Sequence, residues 1–233
     1  MRINPIASGS SGNAYYVSDG GSSLLLDAGI PLRRIQEGCG YKVSRLSGCL
    51  VTHAHGDHVK AAKDLAKMGV DVYTSQGTID YAGLSGHRIH RVRSREPISI
   101  GTFEVLPFDV EHDAPEPLGF LMRSTVTQEK LLYFTDTYYL RYTFNGLTHI
   151  MMEANYDPDA MKENVRSGRI AVERAKRTIG SHMSINTAIE TLKSFDLSRL
   201  QQVYLLHLSN DNSIADEFKR RVQAVTGREV YLC

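Results

Sequence analysis

The sequence predicts a mixed α/β protein, an αβ/βα sandwich, because strand-like segments followed by helix-like segments occur twice along its 233 residues. A doubly wound parallel sheet would show a more regular alternation of strands and helices. A chain of this length can bury a substantial core, and no linker, repeat or low-complexity block interrupts it. We therefore expect a single domain spanning residues 1–233.

The individual elements are predicted from apolar periodicity and from the turn-forming residues between them. Pro31 is typical of the first turn of a helix, and Gly69 is typical of a helix end. The predicted strands are 2–7, 15–18, 23–27, 70–73, 102–106, 118–123, 130–135, 148–153 and 203–206. The predicted helices are 32–37, 59–68, 184–194 and 214–225.

Composition excludes several classes of protein. The formal net charge of +1 provides no global field that would favour nucleic acid or a membrane surface. Cys39, Cys49 and Cys233 are scattered, so they form neither a zinc-binding CxxC pair nor a disulfide framework. The first residues lack the apolar core of a signal peptide, and no segment reaches transmembrane length. We expect a cytoplasmic protein with no membrane partner.

The most informative motif is the run HAHGDH, residues 53–58, which directly follows the apolar stretch 49–51. His53 and His55, two residues apart at a strand end, can converge on one metal ion, and Asp57 and His58 can face a second. The alternative is a solvated His-rich loop. Further ligand-type residues at strand ends downstream disfavour that alternative and favour a metal site.

These downstream residues share one placement, at or just after the end of an apolar, strand-like run. A lone histidine or aspartate there is often a satisfied core or turn residue, but several in succession favour a common site. Glu153 ends such a run, and His182 stands just before a helix that Ser184 caps. The other downstream members are His112, Asp136 and His207, and Asp27 ends a similar run upstream of the motif.

The HxHxDH run and the residues that follow it resemble the metallo-β-lactamase superfamily. The resemblance implies a four-layer αβ/βα sandwich with a dinuclear metal site along one edge of its two sheets. It also implies seven metal ligands, with Asp27 hydrogen-bonded behind one of the ligating imidazoles. The first metal is assigned His53, His55 and His112, the second is assigned Asp57, His58 and His207, and Asp136 bridges the two.

Glu153 and His182 resemble a pair that the phosphodiesterase branch, including tRNase Z and RNase J, adds to the metal ligands. The resemblance implies that Glu153 orients His182, which acts on the scissile phosphate or the leaving oxygen, while Asp57 helps to hold the nucleophile. Residues 113–135 are too few for the long exosite arm of tRNase Z. Residues 137–206 leave no room for the extra β-CASP domain of RNase J.

Within this branch the chain is similar to the YycJ (WalJ) group, whose members are described as DNA exonucleases. The likeness is carried by residues 7–13, 112–119, 135–137, 153–157 and 207–209. Tyr156 departs from the group, which commonly has histidine there, and this departure leaves the substrate open.

The resemblance thus implies a dinuclear-metal phosphodiesterase, favouring a DNA exonuclease or nuclease that uses a metal-bridging hydroxide, with a nucleic acid or nucleotide phosphodiester as partner. The His-dominated ligand set favours two Zn²⁺ ions, and its carboxylates are also compatible with Mn²⁺ or Fe. One alternative is a phosphodiesterase of small cyclic nucleotides or diesters. Another is a non-enzymatic nucleic-acid-binding module with a vestigial site. The sequence does not specify an oligomeric state.

Substrate contacts are predicted at a Ser/Gly loop and at two basic segments. The loop 8–13, with Ser10, Ser11 and Asn13, can offer backbone N–H groups to a phosphate, although a plain turn is the alternative. On a strand, the alternation of Arg91, Arg93 and Arg95 would place all three side chains on one face. A second basic segment runs from Arg166 to Arg177, and either segment can instead be a solvated face.

Overall fold

The computed structural model describes all residues from 1 to 233, and the chain divides into two compact units. The first unit contains residues 1–109 and 114–129, and the second contains residues 110–113 and 130–233. No helix in either unit combines the length and the apolar character that crossing a membrane requires.

The first unit is built on a six-stranded sheet whose strands follow one another in chain order. Its first two pairings are antiparallel and the remaining three are parallel. The strands are β1 (Arg2–Ala7), β2 (Ala14–Ser18), β3 (Ser23–Leu26), β4 (Gly48–Leu50), β5 (Val72–Thr74) and β6 (Ile89–Arg91). The same unit contains the antiparallel strands β7 (Ile98–Ile100), β8 (Phe103–Asp109) and β9 (Leu118–Ser124).

Helices cover this sheet because its inner strands are apolar on both faces. Leu24, Leu25 and Leu26 of β3 are all fully buried, a pattern typical of strands covered on both sides. Leu65 of α3 packs in the same hydrophobic cluster as Leu25. The helices are α1 (Leu32–Gly38), α2 (Gly56–Val59), α3 (Ala62–Lys67) and α4 (Gln76–Ala82), with a 3-10 turn at Val43–Arg45.

The predicted helix 59–68 is wrong in its bounds, because two short helices occupy the region. The backbone N–H of Ala61 donates to the carbonyl of Ala28 at 2.8 Å, so it makes a tertiary contact at the point where α2 gives way to α3. A hydrogen bond to the loop after β3 therefore overrides the helix propensity of the segment. Helix α2 begins at Gly56, inside the HAHGDH run.

The prediction that Arg91, Arg93 and Arg95 share one strand face is also wrong. Strand β6 ends at Arg91, and the two following arginines lie in irregular structure. Arg95 has a left-handed backbone with φ of +66°, which a β-strand does not allow. Its backbone N–H donates to the carbonyl of Pro107 at 2.8 Å, which fixes that turn.

The second unit contains four parallel strands in the order β13-β12-β11-β10. These are β10 (Lys130–Phe134), β11 (His149–Glu153), β12 (Gln202–Leu206) and β13 (Glu229–Leu232). Every residue of β11 is buried. Because the four strands are parallel, the residues that follow them emerge at one edge.

Four helices complete the second unit: α5 (Pro158–Arg166), α6 (Val172–Ser181), α7 (Ile185–Lys193) and α8 (Ala215–Thr226). The predicted helices 184–194 and 214–225 are confirmed as α7 and α8. Helices α5 and α6 were not predicted, although the start of α5 has a recognisable signal. Asp157 accepts hydrogen bonds from the N–H groups of Asp159 and Ala160, and Pro158 follows it in the first turn.

Candidate metal centre

In the first unit, the HAHGDH run is held by backbone hydrogen bonds to two loops. The N–H of Asn13 donates to the carbonyl of Asp57 at 2.8 Å, and the N–H of Ala28 donates to that of His58 at 2.8 Å. A Cβ atom at Gly29 would lie 1.6 Å from the Asp57 carbonyl oxygen, so only glycine allows this close approach. The position of the run is thus determined by residues distant in sequence.

The run brings three imidazole rings together. The ring centroid of His53 lies 4.9 Å from that of His55 and 4.1 Å from that of His58. His53 and His58 are almost completely buried, at 1% and 0% exposure. Asp57 places a carboxylate oxygen 3.7 Å from Nε2 of His58. Four of the predicted ligands therefore lie close together within this unit.

Asp27 fixes the orientation and tautomer of His58. Its Oδ2 lies 2.8 Å from Nδ1 of His58, and because a carboxylate only accepts, Nδ1 carries the proton and Nε2 carries a lone pair. Asp27 is itself held by the backbone N–H of Thr52 at 2.8 Å and by the Thr52 hydroxyl at 3.0 Å. This carboxylate–imidazole arrangement is the one that supports metal-ligating histidines in proteins.

The side chain of Asn13 contacts the same imidazole rather than solvent. Asn13 is fully buried, and its Nδ2 lies 3.1 Å from Nε2 of His58. Its Oδ1 accepts hydrogen bonds from the N–H of Gly9 and from the hydroxyl of Tyr15. Of the three predicted substrate residues in this loop, only Ser10 and Ser11 are exposed.

In the second unit, the polar residues at the ends of the parallel strands converge. Asp136 follows β10, Glu153 is the last residue of β11, and His207 directly follows β12. Together with His182, their potential ligand atoms all lie within 4.8 Å of one another. The strand-end placement that the sequence indicates therefore brings these side chains to one edge.

Asp136 directs its two carboxylate oxygens towards different imidazoles. Oδ2 lies 3.8 Å from Nε2 of His112, and Oδ1 lies 3.9 Å from Nε2 of His207. Nδ1 of His112 donates to the carbonyl of Ser181 at 3.0 Å, so Nε2 carries the lone pair. Burial outweighs the attraction of Asp136 and lowers the pKa of His112, which favours the neutral imidazole that can bind a metal.

Glu153 and His182 form a tightly hydrogen-bonded pair. Nδ1 of His182 lies 2.6 Å from Oε1 of the fully buried Glu153, and the other oxygen accepts from the N–H groups of Thr137 and Met183. Burial opposes protonation of His182, but Glu153, with help from Asp136 and Asp113, raises its pKa to about 9. A protonated imidazole in this position can donate a proton at neutral pH.

Asn155 is a site residue that sequence reasoning missed. Its Nδ2 donates to the carbonyl of His207 at 2.8 Å and lies 3.1 Å from Nδ1 of the same residue. Its sequence signal was its place in the stretch 153–157, which carries part of the family likeness. Thr52 was also missed, and its signal was its position directly before His53.

The basic segment from Arg166 to Arg177 is largely neutralised by neighbouring carboxylates. Arg166 pairs with Glu163 at 2.7 Å, Arg174 with Asp211 at 3.3 Å and Arg177 with Asp113 at 3.2 Å. Arg93 likewise lies 3.5 Å from Glu96, whereas Arg91 is exposed. Exposed pairs of this kind contribute little to stability, and a phosphate would have to compete with the acidic partners.

The donor groups fit a divalent transition metal. Imidazole nitrogens suit Zn²⁺, Mn²⁺ and Fe, and the carboxylates of Asp57 and Asp136 add the oxygen ligands that these ions accept. His58 and His112 are both held through Nδ1, which leaves Nε2 as the coordinating atom in each.

The sequence profile of a known protein family matches most of the chain. The sequence profile described as the beta-lactamase superfamily domain matches residues 23–208, which is most of the chain. The chain belongs to this superfamily. Membership in the metallo-β-lactamase superfamily makes it a hydrolase-family protein, and the fold implies divalent metal binding.

Curated relatives of this superfamily member include two bacterial exodeoxyribonucleases. Exodeoxyribonuclease WalJ of Streptococcus pneumoniae is 28% identical over 93% of this chain and 84% of its own length. Exodeoxyribonuclease YycJ of Bacillus anthracis is 28% identical over 97% of this chain and 89% of its own length. The predicted resemblance to the YycJ (WalJ) group is confirmed.

Solved structures of metallo-β-lactamase fold proteins match the whole chain. The fold protein YhfI from Bacillus subtilis has a TM-score of 0.76 at 17% identity and covers 99% of this chain and 95% of its own. The short form of human tRNase Z has a TM-score of 0.66 at 16% identity, covering 100% and 96%. The predicted fold class, a mixed α/β metallo-β-lactamase fold with two sheets, is confirmed.

Proposed function

We propose that this chain is a metal-dependent DNA exonuclease. The observation that carries the proposal is the Glu153–His182 pair, 2.6 Å apart, beside Asp136 and His207. The superfamily supplies the metal requirement, and the relatives from S. pneumoniae and B. anthracis, named exodeoxyribonucleases, favour DNA as the substrate.

The proposed metal set is a dinuclear centre with seven ligands. His53, His55 and His112 would hold one ion, Asp57, His58 and His207 the other, and Asp136 would bridge them. Two features support this assignment: the divergent oxygens of Asp136, and the matched family region 23–208, which includes every proposed ligand. Residues 1–233 would then act as one domain, and a cytoplasmic location stays a prediction. Zn²⁺ is the proposed ion, because imidazoles dominate the set.

Bound divalent ions supply an activated water and neutralise charge on the phosphodiester. The remaining chemistry belongs to side chains of this protein. His182, protonated through its contact with Glu153, donates a proton to the leaving oxygen of the cleaved phosphodiester. Glu153 positions that imidazole and is itself fixed by two backbone N–H groups. Asn155 and Asp27 orient His207 and His58.

The proposal is tested by an assay panel with the full chain loaded with Zn²⁺ or Mn²⁺. Labelled single-stranded DNA, double-stranded DNA, RNA and cyclic mononucleotides are compared, and metal per chain is measured by mass spectrometry. We expect about two metals per chain and stepwise release of mononucleotides from a DNA end. Preferential hydrolysis of cyclic nucleotides would replace the proposal with a small-molecule phosphodiesterase. A chain that purifies without metal and cleaves nothing would favour a binding module.

A further inference from the structure

A small basic pocket lies in the first unit, apart from the proposed ligands. Its volume is about 240 Å³, and it is formed by α3 and the segment that precedes β6. No acidic side chain lines it. The lining residues are Lys63, Ala66, Lys67, Ser85, Gly86, His87 and Arg88.

Nearby carboxylates neutralise only part of the positive charge on the side chains that line the pocket. Lys67 lies 3.6 Å from Asp64, and Arg88 lies 3.2 Å from Asp71, a carboxylate that also contacts His90. These pairs are at least one-third exposed, so solvent weakens them. Lys63 and His87 have no ion-pair partner in the chain, and Lys63 therefore gives the pocket an uncompensated positive charge.

The pocket is connected to the proposed metal centre through a single stretch of chain. Helix α3 follows α2, which contains Asp57 and His58, so the same segment positions ligands and lysines. Lys63 and Lys67 follow His58 by five and nine residues, across the break between the two helices.

We propose that this pocket binds a backbone phosphate of the nucleic-acid substrate, at a position other than the bond that is cleaved. This inference rests on the proposed nuclease function. Phosphate is the ligand indicated because lysine binds it as a point charge and arginine as a planar fork. The volume is smaller than the roughly 300–1,000 Å³ of pockets for drug-sized ligands, so it suits one phosphate and part of its sugar.

The test compares two double variants that remove the same charge. Lys63→Gln/Lys67→Gln alters the pocket, and Lys42→Gln/Lys193→Gln removes two exposed lysines elsewhere. Binding of a fluorescent single-stranded 20-mer and of its mononucleotide is measured by anisotropy over a salt series. Hydrolysis of the 20-mer and of bis(p-nitrophenyl) phosphate is measured in parallel with the metal-loaded protein.

We expect the pocket variant to flatten the log–log salt dependence of 20-mer binding by about 0.7, since the pocket contacts one phosphate and each single-strand phosphate contact contributes about 0.7. Its KM for the 20-mer should rise, while hydrolysis of the small diester and binding of the mononucleotide stay unchanged. The control variant should keep the wild-type slope.

An unchanged salt-dependence slope in the pocket variant, or an equal change in both variants, would overturn the proposal that the pocket binds a backbone phosphate. Equal weakening of mononucleotide and 20-mer binding would indicate a site for free phosphate compounds, which also overturns the proposal. If wild-type protein binds the 20-mer but hydrolyses no phosphodiester, the nuclease function fails, and the slope still decides whether the pocket contacts phosphate.

Discussion

The two units provide imidazole and carboxylate groups in different ways. In the first unit, four proposed ligands come from six consecutive residues, and the surrounding loops hold them through backbone hydrogen bonds. In the second unit, Asp136, Glu153 and His207 come from three separate strands, and only parallel pairing brings them to one edge. The spacing of the ligands in the local motif is therefore set by consecutive residues. The positions of the strand-end residues depend instead on how the parallel strands pair.

The largest expected effect tests the bridging role of the strand-end set. Asp136→Ala removes the one proposed ligand shared by both ions, so activity should fall by more than about 10³-fold, because metal coordination supplies several kcal/mol of charge stabilisation. Metal content measured by mass spectrometry should drop by at least one ion per chain. Wild-type turnover with two retained metals would show that Asp136 does not bridge.

A smaller effect is expected at His182, which the strand-end set positions but which does not bind metal in our proposal. His182→Ala should retain both metals and lower turnover on DNA by roughly 10²–10⁴-fold, the usual range for general acid catalysis. A p-nitrophenyl phosphodiester should lose much less, since its leaving group needs no proton. Equal losses on the two substrates, or a loss of metal, would exclude the role of proton donor.

The residues that hydrogen-bond to proposed metal ligands should contribute differently to metal affinity in the two units. Asp27→Asn removes a charged anchor of His58, and we expect metal affinity to fall by about 10–100-fold, the range for such partners. Asn155→Ala removes a neutral hydrogen bond to His207, worth about 0.5–1.5 kcal/mol, so affinity should fall by about 10-fold or less. Chelator competition measures both, with the exposed Asn145→Ala as control. A larger effect at Asn155 than at Asp27 would reverse the comparison.

The smallest effects concern matched helix caps. Ser75 caps α4 in the first unit and Ser184 caps α7 in the second, each accepting from a backbone N–H. Replacement of either by alanine should lower the free energy of unfolding by about 1 kcal/mol in urea titrations. Only Ser184→Ala should also lower turnover, because Ser184 lies two residues after His182. Similar turnover in the two variants would indicate that His182 is positioned without this cap.

Much of the fold was predictable from the sequence because it depends on local patterns. Apolar runs indicated the positions of most strands. Helices α7 and α8 both show helical periodicity of apolar residues, and α7 also has a serine cap. The HAHGDH run was recognisable from spacing alone. The strand-end residues were recognisable because each follows an apolar run.

What could not be predicted depends on tertiary contacts. The interruption between α2 and α3 results from a hydrogen bond to Ala28, which no local signal announces. The pairing of Asn155 with His207 joins positions 52 residues apart. Likewise, the left-handed turn at Arg95 is fixed by Pro107, so the apparent alternation of arginines was misleading.

The backbone at three proposed functional positions has a consequence for laboratory evolution. Asp27, Asp136 and His207 have φ values of +58°, +49° and +52°, in a region where a side chain costs of order 1–3 kcal/mol. Glycine at Asp136 or His207 would relieve that cost while deleting a carboxylate or an imidazole. A library selected only for expression or heat resistance should therefore enrich glycine at these two positions and yield robust but inactive proteins. Selection for turnover should restore the original residues.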